Sequence, residues 1–163
     1  MAGHKIIMVR GIQGSGKSTW AKEWCKEKPL ERVRWNNDDF RKMLGKYWVP
    51  EREEFVAFMR GQFFQRAMVR GYDIVVDNMN LNPREEKYFK DVIDRFNRNM
   101  GAFFKIKYTL EFKDFFDASV EECIERDSKR MGDDFIGEKV IRETYNRYKS
   151  RIEELKNESN SNK

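Results

Sequence analysis

Lys5-Ile6-Ile7-Met8-Val9-Arg10-Gly11-Ile12-Gln13-Gly14-Ser15-Gly16-Lys17-Ser18-Thr19 is the stretch that decides how this chain folds. Its first six residues are a short β-branched run stopping at Gly11, which reads as a strand buried on both faces. Gly11 to Thr19 then match the pattern G-x-x-x-x-G-K-[ST]. Lys17 to Lys28 follow with helical composition, and Pro29 stands just beyond. Strand, glycine-rich turn and helix, in that order, make a phosphate-binding loop. The glycines let backbone N–H groups turn inward around a phosphate, and the helix N-terminus adds partial positive charge. The expected nucleotide-binding residues are therefore Gly11, Gln13, Gly14, Ser15, Gly16, Lys17, Ser18 and Thr19. Lys17 is expected to reach the β- and γ-phosphates, and the Ser18 hydroxyl to ligate Mg²⁺. The expected cofactors are ATP, or another nucleoside triphosphate, and Mg²⁺. The bland alternative is a glycine-rich turn with an accidental Lys-Ser.

Working outward, Arg32-Val33-Arg34-Trp35 is a weaker strand candidate, followed by a short helix over residues 39–44. After Pro50, the residues Phe55, Met59, Phe63 and Ala67 recur at helical spacing up to Gly71. Asp73-Ile74-Val75-Val76-Asp77 is a second buried strand. Asn82-Pro83-Arg84-Glu85-Glu86 then has a cap residue, a proline at the first helical position and acids in the first turn. Phe89, Val92, Ile93 and Phe96 supply the buried stripe of that helix. From Ala102 to Phe112 the even positions Phe104, Ile106, Tyr108, Leu110 and Phe112 are apolar, so the pattern predicts a strand with one wet face. Ser119-Val120-Glu121-Glu122 matches a capping box. A last helix carries Ile141, Tyr145, Tyr148, Ile152 and Leu155. Strands alternating with helices imply a three-layer α/β fold of P-loop kinase type, with a mostly parallel central sheet and helices on both faces. One domain over residues 1–157 is expected, with a frayed Asn/Ser/Lys tail over 158–163.

Composition bounds the chemistry. The chain has 163 residues, and its 33 Lys and Arg against 28 Asp and Glu leave a net charge of +5. That balance favours an anionic partner only weakly, because charge speaks to association and not to fold. Two cysteines exclude a disulfide scaffold and suggest a reducing compartment. A single histidine, His4, removes every mechanism that needs a pair of them. No stretch approaches the roughly 20 apolar residues of a membrane helix, and the run Ile6–Val9 is too short for a secretory signal. A cytoplasmic protein is expected, in the host cytoplasm if phage-encoded. Its oligomeric state is left open.

Phosphate loops serve motors, switches and kinases alike. The length argues against motors, and no guanine-reading Asn-Lys-x-Asp follows Thr19, so a compact kinase is the leading class. Such an enzyme needs a carboxylate in line with the γ-phosphate, at the carboxyl end of a neighbouring strand. Trp35-Asn36-Asn37-Asp38-Asp39-Phe40-Arg41 fits, with Arg41 about one turn beyond Asp38. On local sequence alone, Asp38 or Asp39 serves equally well as a helix cap.

Four segments, in order, resemble the kinase domain of bacteriophage-type polynucleotide 5′-kinases. They are Gly14-Ser15-Gly16-Lys17-Ser18-Thr19-Trp20-Ala21, Asn36-x-Asp38-Asp39-x-Arg41, Asn80-Leu81-Asn82-Pro83 and Arg126-x-Ser128-Lys129-Arg130. The resemblance spans roughly residues 5 to 150. It implies transfer of the γ-phosphoryl of ATP to the 5′-hydroxyl end of DNA or RNA. It makes Asp38 the general base and gives Arg41 the acceptor's adjacent phosphate. Arg126 and Arg130 become lid residues over the triphosphate, Arg130 the essential one. The bland alternative for that pair is a solvated i, i+4 face near a helix end. The family often has Arg where Asn37 stands, so one phosphate contact is missing. Phage relatives read Ser-Asp-Thr-Asn before Leu-Asn-Pro, whereas this chain reads Asp77-Asn78-Met79-Asn80, closer to the Asp-Asn-Thr-Asn of animal DNA-end-healing kinases. Asp77 ends an apolar strand and is assigned to the metal site with Ser18, by direct or water-mediated contact. No Asp-x-Asp-x-Thr occurs, so the 3′-phosphatase fused to many of these kinases is not expected. Tyr47 and Trp48 are either packing residues or a stacking surface for a terminal base. Two other readings stay open at this point: a small-molecule kinase acting on a nucleoside, sugar or antibiotic, and an ATP-gated nucleic-acid-binding module.

Overall fold

The structure, a computed structural model, describes residues 1–161. Four parallel strands form one sheet: β1 (Ala2–Arg10), β2 (Arg32–Trp35), β3 (Asp73–Val76) and β4 (Ile106–Asp114), in the spatial order β2-β3-β1-β4. β1 is central, with Ile6 opposite Ile74 on one side and Leu110 on the other. Successive side chains of a strand point to opposite faces, and both faces of β1 are apolar. Ile6 and Met8 pack with Ile74, Val76 and Trp35 beneath α3 (Glu53–Val69) and α4 (Pro83–Phe96). Ile7, Val9 and Val75 pack on the other face with Ala21 and Trp24 of α1 (Lys17–Glu27). The three-layer α/β expectation is met among the described residues.

A third apolar cluster joins Ile12 and Leu81 to Cys123 of α6 (Val120–Ser128) and to Ile141, Ile152 and Leu155 of α7 (Glu138–Ser161). It fastens the last two helices to the carboxyl ends of β1 and β3, where open α/β sheets hold their ligands. The short helix α2 (Asn37–Met43) leaves β2 at the same end.

Three expectations change. The strand placed over residues 102–112 starts only at Ile106, because residues 97–101 form a wide helical turn and Ala102–Phe104 (α5) is helical. A Cβ on Gly101 would lie 2.8 Å from the Ile106 carbonyl, and Lys105 takes a left-handed φ of 55° to turn the chain into β4. Phe103 is left 82% exposed. His4 lies inside β1 rather than before it, with Nδ1 3.3 Å from Asp73 Oδ1. Residues 158–161, read as tail, continue α7. Leu155 buries the preceding turn, and the Ser159 and Ser161 hydroxyls donate back to the Leu155 and Asn157 carbonyls. Residues 162–163 lie outside the described residues. Among the described residues no helix is long and apolar enough to cross a membrane.

Candidate active site

The loop from Gly11 to Gly16 owes its shape to its glycines. Gly14 has a φ of 77° and sits against α6, where a Cβ would meet the Cys123 carbonyl oxygen at 2.4 Å. No side chain but hydrogen fits. Lys17 is 7% exposed; its ammonium donates to the Ile12 carbonyl at 2.6 Å and lies 3.4 Å from Ser15 Oγ. Burial pulls its pKa down to about 8, against the opposing charge of Asp77. Gln13 ties the loop to α7 by donating to Thr144 Oγ1 at 3.3 Å.

The loop after β3 reaches the same place. Asn80, buried with φ 52°, donates to the carbonyls of Val9 at 2.7 Å and Val76 at 2.9 Å. It thereby clamps the ends of β1 and β3 together. Asp77 is 1% exposed and accepts from the Ser18 hydroxyl at 3.1 Å. Its other oxygen accepts from Arg34 Nε at 2.7 Å, and Arg34 Nη1 donates to Asp39 at 2.6 Å. Arg34 was not among the residues picked out by motif. The one local signal was an arginine one place before the end of a strand. It brings a cation into the cleft three residues before Asn37, where the family pattern often has one.

Asn36 settles the ambiguity of the next motif. Its side chain accepts from the Asp39 backbone N–H at 2.8 Å and donates to the Asp77 carbonyl, so Asn36 is the cap of α2. Asp38, one residue inside the helix, has its carboxylate on the cleft, 2.6 Å from Arg41 Nη1. Arg41 is fixed in turn by two bonds to Glu53, at 2.9 and 2.7 Å. Those two hydrogen bonds pull the Glu53 carboxyl below its ordinary value. The Tyr47 hydroxyl is held neutral, its pKa pushed up to about 12 by burial and by the Asp38 charge. Neither Glu53 nor the nearness of Tyr47 to Asp38 was legible beforehand, since both depend on how α3 and its preceding loop return to α2.

These groups line one cleft of about 540 Å³, together with Gln13 to Thr19, Lys22 and Arg130. Asp77, Arg130 and Asp38 all lie near enough to Lys17 to bear on its charge. The segment over residues 129–137 closes one side. Lys42 of α2 forms an ion pair with Asp134 across the mouth. Asp127, buried at the base of this segment, accepts from the backbone N–H groups of Ile136 and Gly137 at 3.1 and 2.8 Å, and Arg130 lies 3.6 Å from it. Arg126 differs from its neighbour. Its guanidinium donates to the Gly14 carbonyl at 3.2 Å and supports the loop from α6. It is not among the residues lining the cleft.

The profile of a family described as an AAA domain matches residues 6–155. The chain belongs to that family. Among solved structures it is similar to a chain of the Pnkp1/Rnl/Hen1 RNA repair complex, with 25% identity and a TM-score of 0.70 over 95% of this chain. A second structure of the Pnkp1/Rnl/Hen1 complex matches 79% of it at 25% identity and a TM-score of 0.58. The chain spans 46% and 40% of those longer chains. An APS kinase from Mycobacterium tuberculosis, seen with AMPPNP and APS, matches at 19% identity and a TM-score of 0.49, covering 77% of this chain and 69% of that one. This member of the AAA domain family has a P-loop kinase fold, and the resemblance read from its four motifs is borne out at that level. It is a nucleotide-binding domain of the kinase type.

Proposed function

We propose that the chain is an ATP-dependent polynucleotide 5′-hydroxyl kinase domain. The observation that carries this reading is the cleft itself, in which the Asp38–Arg41 pair faces the same space as Lys17 and the phosphate loop. Phosphoryl transfer needs little covalent help from a protein; it needs aligned reactants and neutralised charge.

In this reading the backbone N–H groups of residues 13–19 cradle the triphosphate and Lys17 follows the charge that builds on the β–γ bridge. Asp38 takes the proton of the attacking hydroxyl. Arg41 holds the phosphate next to that hydroxyl, its planar fork already aligned by Glu53. Arg130, on the closing segment, neutralises the transferring phosphoryl group, and Arg126 braces Gly14 beneath it.

The residues present fit a magnesium ion. The Ser18 hydroxyl and one Asp77 oxygen are adjacent hard donors at the loop, and among the described residues no group of three or more His, Cys, Asp or Glu offers an all-protein cage. One carboxylate and one hydroxyl, completed by phosphate and water, is the set magnesium takes in such enzymes. The ion would supply charge neutralisation at the phosphates.

Transfer of labelled γ-phosphate to 5′-hydroxyl oligonucleotides at low salt tests the reading, with DNA, RNA, nucleoside 3′-monophosphates and free nucleosides compared. Oligonucleotides should be the better acceptors, with efficiency falling as salt rises. Nucleosides labelled in preference to oligonucleotides would overturn it in favour of a small-molecule kinase. Nucleotide binding without transfer to any hydroxyl would make it a binding module.

A further inference from the structure

Four of the exposed large apolar side chains on this molecule share one segment. Met43, Trp48, Phe55 and Phe58, exposed by 72, 52, 46 and 60%, all fall on the α2–α3 segment beside Asp38 and Arg41. Apolar area left in water beside a binding cleft is the usual mark of a recognition surface.

The patch is continuous with the cleft through direct contacts. The Arg41 guanidinium lies over the Trp48 ring, 5.4 Å from its centroid, and the Lys42 ammonium lies 6.0 Å from the centroid of Tyr47. Phe55 meets Phe40 of α2 at 6.2 Å. Trp48 therefore has one face turned to a cation and, half exposed, another open to solvent. An aromatic face backed by a guanidinium suits a strand in which bases alternate with phosphates: the phosphate is drawn to the cation and the neighbouring base covers the ring. On the same segment the exposed Lys46 and Arg52 are balanced by the exposed Glu51 and Glu54, so the attraction for a phosphate rests on Arg41 and Lys42. A protein partner would need apolar complementarity but no pairing of Trp48 and Tyr47 with cations.

We propose that Trp48 is a stacking platform for an unpaired base next to the reacting end, so that the acceptor is a single-stranded nucleic acid. This rests on the polynucleotide reading above and adds to it a preference for frayed or overhanging ends over blunt duplex. A base held in a duplex is already stacked and paired, and offering it to Trp48 costs the unstacking energy.

Trp48→Ala and Trp48→Phe, made in the full chain, test this by anisotropy of a 3′-labelled, 5′-hydroxyl single strand and of its blunt duplex. Trp48→Ala should weaken single-strand binding about tenfold, leave the duplex nearly unchanged and so erase the difference, while Trp48→Phe stays within about threefold of wild type. Single-strand binding should also quench the protein's tryptophan emission, and Trp48→Phe should lose most of that quench. Equal single-strand affinity in wild type and Trp48→Ala would overturn the platform. So would a self-association that Trp48→Ala abolishes while oligonucleotide affinity stays the same, which would make the patch an interface between copies. Failure of the wild type to phosphorylate any oligonucleotide removes the polynucleotide reading itself. Normal phosphorylation with an indifferent Trp48 removes only the platform.

Discussion

The Arg34 guanidinium, on β2, donates to the buried Asp77 carboxylate, on the far side of the β2–β3 pairing, with Nε 2.7 Å from Oδ2. Its Nη1 bonds to Asp39 at 2.6 Å. One arginine thus neutralises the acid that meets Ser18 and pairs with the second of two adjacent aspartates, while Asp38 pairs with Arg41. Removing one member of a buried pair strands the other's charge, at a cost of about 3–5 kcal/mol. Since Arg34 retains 16% exposure, Arg34→Gln is expected to lower unfolding free energy by the smaller figure, about 3 kcal/mol. The double variant Arg34→Gln/Asp77→Asn should recover most of that loss in urea titrations. A double variant no more stable than Arg34→Gln alone would show that the pair does not carry the cost.

Asp38→Asn keeps the size of the side chain and removes the proton acceptor. Transfer should fall by about 10²–10⁴, while equilibrium binding of a fluorescent ATP analogue changes by less than about threefold. Near-normal turnover would move the base role to another group. Arg41 remains anchored by Glu53 in this variant, so a large loss of acceptor affinity is not expected.

Lys17 gives the nucleotide site a pH dependence. Its pKa of about 8 in the folded chain lies below the ordinary lysine value of 10.5, through burial. Between those two values the unfolded chain binds more protons, so this group makes the free protein more stable as pH rises through that window. Binding runs the other way. The phosphates need the ammonium, so nucleotide affinity should fall as pH rises from 7 to 9, by up to about tenfold per unit above the pKa. Lys17→Met should remove that slope along with most of the affinity. Calorimetric titration at several pH values checks both.

Gly14→Ala tests the loop by shape alone. The added methyl would sit 2.4 Å from the Cys123 carbonyl oxygen, a backbone atom of α6 that cannot rotate away, and φ 77° disfavours any side chain. ATP affinity should drop by about tenfold or more, since a strained position costs on the order of 1–3 kcal/mol. The melting temperature should fall as well. Gly45→Ala, with φ 96° but no atom within 4 Å of the new Cβ, carries the backbone strain without the collision and serves as the control.

Much of the fold was legible because its signals are local. The β-branched run before Gly11, the second run at residues 73–77 and the cap-and-stripe patterns from Asn82 and Ser119 each fit inside one element, where periodicity and capping chemistry operate. The misread start of β4 shows the limit of such signals. Alternating Ala102, Phe104 and Ile106 fit a strand, but the close approach of Gly101 to the Ile106 carbonyl, which sets the turn, depends on backbone folding back on itself.

The sequence alone determined that this chain has a phosphate loop between a buried strand and a helix, and which residues compose it, because a glycine, a lysine and a hydroxyl must stand at set spacings to meet a phosphate. Tertiary structure alone decided which charges meet. That Arg34 crosses to Asp77, that Glu53 steadies Arg41, and that Arg126 braces Gly14 while Arg130 faces the cleft are facts about residues up to 112 positions apart. Ion pairs act over a few ångströms of space and are indifferent to distance along the chain. The sheet order β2-β3-β1-β4 brings those ångströms about.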